Sequence, residues 1–299
     1  MAIAAEPSGP ATRPGGLAGL TPSGRARVPI AWSLYDFANT IFSFAVVSNA
    51  IGLYLVDEFG ARDGSLWLSI AVAVSVGLNA LVSPILGAIS DRAGGRRMPY
   101  LLAFTASCIV ATFFTADVPA AFGLVLFIVA NFSYQAALIY YDATLRVVSY
   151  PVSRGRLSGI GTAIGYCGTV FVGLLIFFAD VPVVDRFRLA AVLYFVFAIP
   201  IFLAVREPRT SGERAVTARD VIDSLGQLKV SIANARRVPG LGRFLVGRFF
   251  YSDAVNTVIV VMSVVTTEAL GVDDVTSSTP SASVVTTLMT TMTVFTASL

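Results

Sequence analysis

Residues 87–97 read Gly87-Ala-Ile-Ser-Asp91-Arg92-Ala-Gly94-Gly-Arg96-Arg97. The run separates two apolar stretches, about 66–90 and 98–116, each close to the ~20 residues that cross a bilayer as a helix. Gly87 lets a neighbouring helix approach closely. Asp91 can cap or pair at the helix end, and Gly94 permits a turn with positive φ. Arg92, Arg96 and Arg97 can anchor the turn among lipid head groups and pair with carboxylates. A charged turn of this kind can latch one conformational state through ion pairs that break in another. A generic basic loop would not need this spacing of glycine, aspartate and arginine.

The rest of the chain is equally apolar. Its 299 residues are 56% hydrophobic and 13% charged, against roughly 25% charged in soluble domains, and the mean hydropathy is +0.78. Six spanning segments fall at about 30–55, 66–90, 98–116, 119–141, 157–179 and 187–205, with a seventh at about 244–268. An eighth, 281–299, is weakly marked, being rich in Thr, Ser and Val. The expected fold is an all-α membrane protein divided into an irregular tail (1–29), a six-helix bundle (30–205), a linker (206–243) and the first one or two helices of a second bundle (244–299). Within the linker, Thr217 to Asp220 forms a capping-box pattern. Val221, Leu225, Leu228 and Ile232 then share one helical face, which predicts a helix lying on the membrane surface.

Topology follows from the arginines. Arg13, Arg25 and Arg27, then Arg92, Arg96 and Arg97, then Arg146, Arg154 and Arg156 fall on one side, together with the eight basic residues of 206–243. The other side holds only Arg62, Arg186 and Arg188. This predicts a multi-pass protein of the plasma membrane with a cytoplasmic N-terminus. It also accounts for the basic pI without nucleic acid as a partner. The chain has no histidine, so histidine relays and His-containing metal sites are excluded, and no metal or cofactor is expected. No Walker-type phosphate loop is present, which disfavours ATP-driven transport. Cys108 and Cys167 sit in apolar segments and read as small core residues.

Two apolar segments carry the same polar stripe, Asp36-x-x-Asn39-Thr40 and Asp253-x-x-Asn256-Thr257, at one constant offset. Spacing i, i+3, i+4 puts each set on one helix face, and Ser43 extends the first. A carboxylate inside an apolar segment is expensive, and a recurring polar face suggests two related halves facing one pathway. Asp36 and Asp253 each have two readings. Either they hold an exchangeable proton or the ammonium of a substrate, or they are helix-end residues with structural or gating roles. Asn39, Thr40 and Ser43 lie deeper and are better placed to touch substrate. Asn131 and Gln135 give the fourth segment a polar face that either lines the pathway or bonds a neighbouring helix. Tyr166 and Tyr251 can stack on a ligand, while Trp32, near the boundary, is expected as an interfacial anchor. Gly159, Gly161, Gly165, Gly168 and Gly173 form a small-residue stripe suited to close packing. Pro84 is expected to interrupt the second segment, with Asn79 and Ser83 satisfying freed backbone groups.

Gly87 to Arg97 matches the loop signature between helices two and three of the major facilitator superfamily. Ala31-Trp-Ser-Leu-Tyr-Asp-Phe-Ala-Asn-Thr40 resembles the first-helix signature of its Atg22-like, or UMF1-type, branch. Arg154 to Gly168 is similar to that branch's fifth-helix entry, and Phe250 to Thr257 to its seventh-helix start. The resemblance implies two six-helix bundles with substrate between them and alternating access. Fungal relatives of the branch are associated with amino-acid efflux from the vacuole. Too few residues follow position 244 for a complete second bundle, so that bundle is expected to be cut short.

The leading expectation is a secondary transporter of a small organic solute, amino-acid efflux included, with protons as a candidate coupling ion. A membrane-embedded enzyme is the first rival and lacks a recognisable nucleophile–base pair. A non-transporting remnant, or a partner subunit of a membrane complex, is the second.

Overall fold

The computed structural model describes residues 16–92, 97–207, 240–244, 246–247 and 250, with only the backbone described at 88, 89, 91 and 92. Apart from 244, 246–247 and 250, the seventh segment lies outside the described residues, as do the eighth segment, the linker helix, the stripe at Asp253, Asn256 and Thr257, and Gly94 and Arg96.

Every regular element among the described residues is helical. A 3-10 turn at Gly16–Leu20 precedes α1 (Arg27–Phe42), a π-helical stretch (Ser43–Ala50) and α2 (Ile51–Phe59); α3 (Ala61–Arg92), α4 (Arg97–Phe114), α5 (Ala120–Val148), α6 (Arg154–Phe178) and α7 (Val183–Ala204) follow. Arg27–Phe59 runs as one span, giving six helices among the described residues that are long and apolar enough to cross a membrane. Residues 16–29, which the sequence assigns to an irregular tail, hold the 3-10 turn at Gly16–Leu20 and the first residues of α1. Leu20 is buried, and its carbonyl accepts from the Tyr150 amide at 3.3 Å and the Ser153 hydroxyl at 2.8 Å.

The helix boundaries have local causes. Gly60 adopts φ 81° and ψ 163°, a conformation open in practice only to glycine, and this ends α2. Pro119 and Pro182 stand extended just before α5 and α7, where a missing amide costs nothing. In α3, Pro84 removes the amide that would bond the Ala80 carbonyl, and the Ser83 hydroxyl reaches that oxygen instead at 3.4 Å.

The first span lies at the centre of the bundle and is buried along most of its length. Its α1 part packs on α6 and α7, and α2 packs on α3; α4 packs against α5 and α7, and α3 against α5. Large apolar side chains on the other spans point outward, among them Leu81, Phe122, Phe178 and Phe195, as a lipid-facing surface requires.

Candidate functional site

Asp36 lies at the junction of α1, α5 and α6. One oxygen of its carboxylate sits where a Cβ on Gly165 would come within 3.1 Å. The Tyr134 and Tyr141 hydroxyls of α5 lie within reach of its charge, and Asp36 in turn feels the Asp142 carboxylate. Helices α5 and α6 touch only sparsely. Asp36 is half-buried on α1, and Asp142 is exposed on α5.

The glycine stripe of α6 brings α1 this close. A Cβ on Gly161 would lie 2.5 Å from the Trp32 ring, and one on Gly168 would lie 2.5 Å from the Phe37 carbonyl oxygen and 2.7 Å from Thr40 Oγ1. Thr40 donates across this contact to the Gly165 carbonyl at 2.5 Å and, within its own helix, to Phe37 at 3.0 Å. Trp32 is not at an interface. It is buried, its indole N–H donates to Thr144 Oγ1 at 3.1 Å, and its ring stacks on Tyr141 with centroids 4.6 Å apart.

Other members of the expected site point elsewhere. Asn39 is buried and accepts a hydrogen bond from the Tyr194 hydroxyl of α7 at 3.2 Å. Tyr194 is in turn 3.3 Å from the Tyr35 hydroxyl, which lies 2.7 Å from Thr105 Oγ1 of α4. This network ties α1, α4 and α7 together inside the bundle. Asn131 donates to Ser75 Oγ of α3 at 2.7 Å, which is the interhelical alternative for that residue. Ser43 opens the π-helical stretch, and its carbonyl accepts from the Ser48 hydroxyl at 3.1 Å. Gln135 and Tyr166 are half-buried on α5 and α6. Cys167 is exposed on α6, while Cys108 is buried; only the latter is a core residue.

Sequence reasoning missed two charged residues. Asp142 fell just past the boundary drawn at 141, but α5 runs on to Val148. The extension has clear supports: Thr144 Oγ1 donates to the Tyr141 carbonyl at 2.6 Å, Ser149 Oγ donates to Leu145 at 2.6 Å, and Arg146 in the last turn complements the helix dipole. The signal was present, since Asn131, Gln135 and Asp142 share one helical register. Arg186 was assigned to a loop, yet α7 begins at Val183 and its first turn carries the favourable Asp185. Arg186 is fully buried. It donates to Asn49 Oδ1 of the π-helical stretch at 2.5 Å and to the Val181 carbonyl at 3.0 Å, while its Nη2 and Asn49 Nδ2 have no partner among the described residues.

Of the charged turn, Gly87 is half-buried and Arg97 opens α4. Arg97 pairs with Glu207 at 3.7 Å, and the Met98 amide donates to the same carboxylate at 3.0 Å. The end of the sixth span is thus fastened to the start of the third. Burial pushes the Glu207 carboxyl above its ordinary range, against the opposing pull of the Met98 amide and Arg97.

The family model described as "Vacuole effluxer Atg22 like" matches residues 148–299. The chain belongs to the Atg22-like family of the major facilitator superfamily. It is 27% identical over 250 residues to the "Uncharacterized MFS-type transporter YxiO" of Bacillus subtilis (strain 168), covering 77% of this chain and 58% of that protein. An "Uncharacterized protein" of Aquifex aeolicus (strain VF5) is 25% identical over 201 residues, covering 63% of this chain and 50% of its own length. The chain therefore spans little more than half the length of these relatives. Family membership and the six apolar spans make it a multi-pass membrane protein.

Proposed function

We propose that this chain supplies the first bundle of a secondary transporter that moves a small organic solute, of amino-acid class, by alternating access. It sits in the plasma membrane with its N-terminus in the cytoplasm, as the distribution of arginines supports. One observation carries the reading: the Asp36 carboxylate is half-buried inside the first apolar span and lies against the α6 backbone at Gly165. A charged carboxylate there is costly, and a proton or a substrate ammonium, shared with Asp142 of α5, would remove that cost. Thr40, beside Asp36 on the α6 contact, and Gln135 and Tyr166 on the flanking helices complete the pathway surface. Asp253, Asn256 and Thr257 would contribute the facing side. Arg97 and Glu207, with Asp91, Arg92, Gly94 and Arg96 in the same turn, form the gate.

Reconstitution into liposomes loaded with a labelled amino-acid mixture tests this. Completed with a second six-helix bundle, the chain should support saturable efflux that an imposed pH gradient stimulates, and Asp36→Asn should abolish the stimulation. Stimulated flux unchanged in both Asp36→Asn and Asp142→Asn would overturn the role of the acid pair. The chain alone should give weak or no flux, and robust saturable flux from it would overturn its assignment as one bundle of a pair.

A further inference from the structure

A cavity of about 100 Å³ opens where the N-terminal segment meets the ends of α5 and α7. At ~30 Å³ per water, it has room for a tetrahedral oxyanion. Arg25 and Arg206 stand at its edge, both exposed, and the hydroxyls of Thr21 and Ser23 line one wall. The wall is preorganised: the two hydroxyl oxygens are 3.1 Å apart, and the Ser23 amide donates to Thr21 Oγ1 at 3.4 Å. The floor is apolar, formed by buried Val28, Val148 and Val205. Among the described residues no acidic side chain lines it. Two guanidinium groups and two hydroxyls around an apolar floor match a phosphate that carries a hydrocarbon substituent.

Position selects the source of that phosphate. The lining residues sit where three apolar spans end: Val28 in the first turn of α1, Val148 at the close of α5, and Ala204 and Val205 at the close of α7. That is head-group depth. Within a few residues of the lining in sequence, Ile30, Val152 and Leu203 expose apolar side chains, Val152 at 86% and Leu203 at 73% of full exposure, which suits contact with acyl chains. We propose that this cavity binds the phosphate of an anionic phospholipid head group, clamped by Arg25 and Arg206. The lipid would fasten the N-terminal segment to the ends of the fourth and sixth spans. The proposal does not depend on the transport reading, because none of the lining residues is among those around Asp36.

The test uses the purified full chain in detergent, titrated with dioleoylphosphatidylglycerol, with dioleoylphosphatidylcholine, or with inorganic phosphate. Bound lipid is counted by native mass spectrometry, and the melting midpoint is followed in parallel. Phosphatidylglycerol should be retained and should raise the midpoint, while phosphatidylcholine does neither. The double variant Arg25→Gln/Arg206→Gln should weaken phosphatidylglycerol binding at least tenfold. Arg156→Gln, which removes another exposed arginine near the start of α6, should leave it within twofold. Equal loss in Arg156→Gln and the double variant would show general surface attraction and overturn the site. Undiminished binding in the double variant would also overturn it. Inorganic phosphate reproducing the whole stabilisation would overturn the lipid assignment in favour of a free phosphate.

Discussion

Replacing the α6 glycines one at a time with alanine should split them by what each new methyl meets. At Gly168 the methyl would lie 2.5 Å from the Phe37 carbonyl oxygen and 2.7 Å from Thr40 Oγ1. The carbonyl belongs to the α1 backbone and cannot swing aside, so the helices must part. Overpacking of this kind costs about 1–3 kcal/mol. Parting the helices also weakens the bond from Thr40 to the Gly165 carbonyl, worth about 1 kcal/mol. Against this stands a gain of about 1 kcal/mol in helix propensity from glycine to alanine. The net for Gly168→Ala is a loss of about 1–3 kcal/mol. Gly161→Ala should behave similarly, because its methyl meets the Trp32 ring at 2.5 Å, and that ring is held by Tyr141 and Thr144. Gly165→Ala should cost less, since its nearest contact is the end of the Asp36 side chain at 3.1 Å. Gly159 is exposed and has nothing within 4 Å of its Cβ position, so Gly159→Ala should be neutral or stabilising by up to ~1 kcal/mol. Scanning fluorimetry of the purified variants, at about 2–4 °C per kcal/mol for a chain of this size, reads the order directly. Gly168→Ala melting at or above Gly159→Ala would refute the close α1–α6 contact.

Three further outcomes follow from buried charge and from water access. Arg186→Met removes a buried cation but leaves Asn49 Oδ1 without its donor, at a cost of about 1–3 kcal/mol; adding Asn49→Leu should recover part of that loss. No recovery in the double variant would count against the pairing of Arg186 with Asn49. Burial raises the Glu207 carboxyl, so its contribution to stability is largest below the ordinary glutamate range and is lost as pH rises through the raised value. The melting midpoint of the wild type should therefore fall relative to Glu207→Gln as pH increases through that window, and parallel pH profiles would remove this account. Cys167 is exposed and Cys108 buried, so a membrane-permeant maleimide should label the native protein at Cys167 alone; equal labelling at Cys108 would contradict the packing of α4.

Much of this architecture was legible in the sequence because apolar runs of bilayer length leave few alternatives. The six spans among the described residues appear where hydropathy put them, but the single polar face expected from Asp36, Asn39 and Thr40 is divided between two neighbours. What spacing could not say is which neighbour each face meets. Asn39 and Thr40 are adjacent, yet one bonds Tyr194 on α7 and the other Gly165 on α6. Asp142 and Arg186 were misplaced for a different reason. Hydropathy ends a segment at its first charge, whereas a helix ends where its backbone bonds run out, so α5 carries Asp142 inside it and α7 starts before Arg186. The π-helical stretch at Ser43–Ala50 had no sequence signal that periodicity could detect.

The central proposal is that Asp36 and Asp142 face water between α5 and α6. Single cysteines at 36, 142, 39 and 131 in a Cys167→Ser background, probed in membranes with a charged methanethiosulfonate, test it most directly. The account predicts that positions 36 and 142 react while 39 and 131, buried among Tyr194 and Ser75, stay unmodified. Reactivity at 36 as low as at 39 would contradict it.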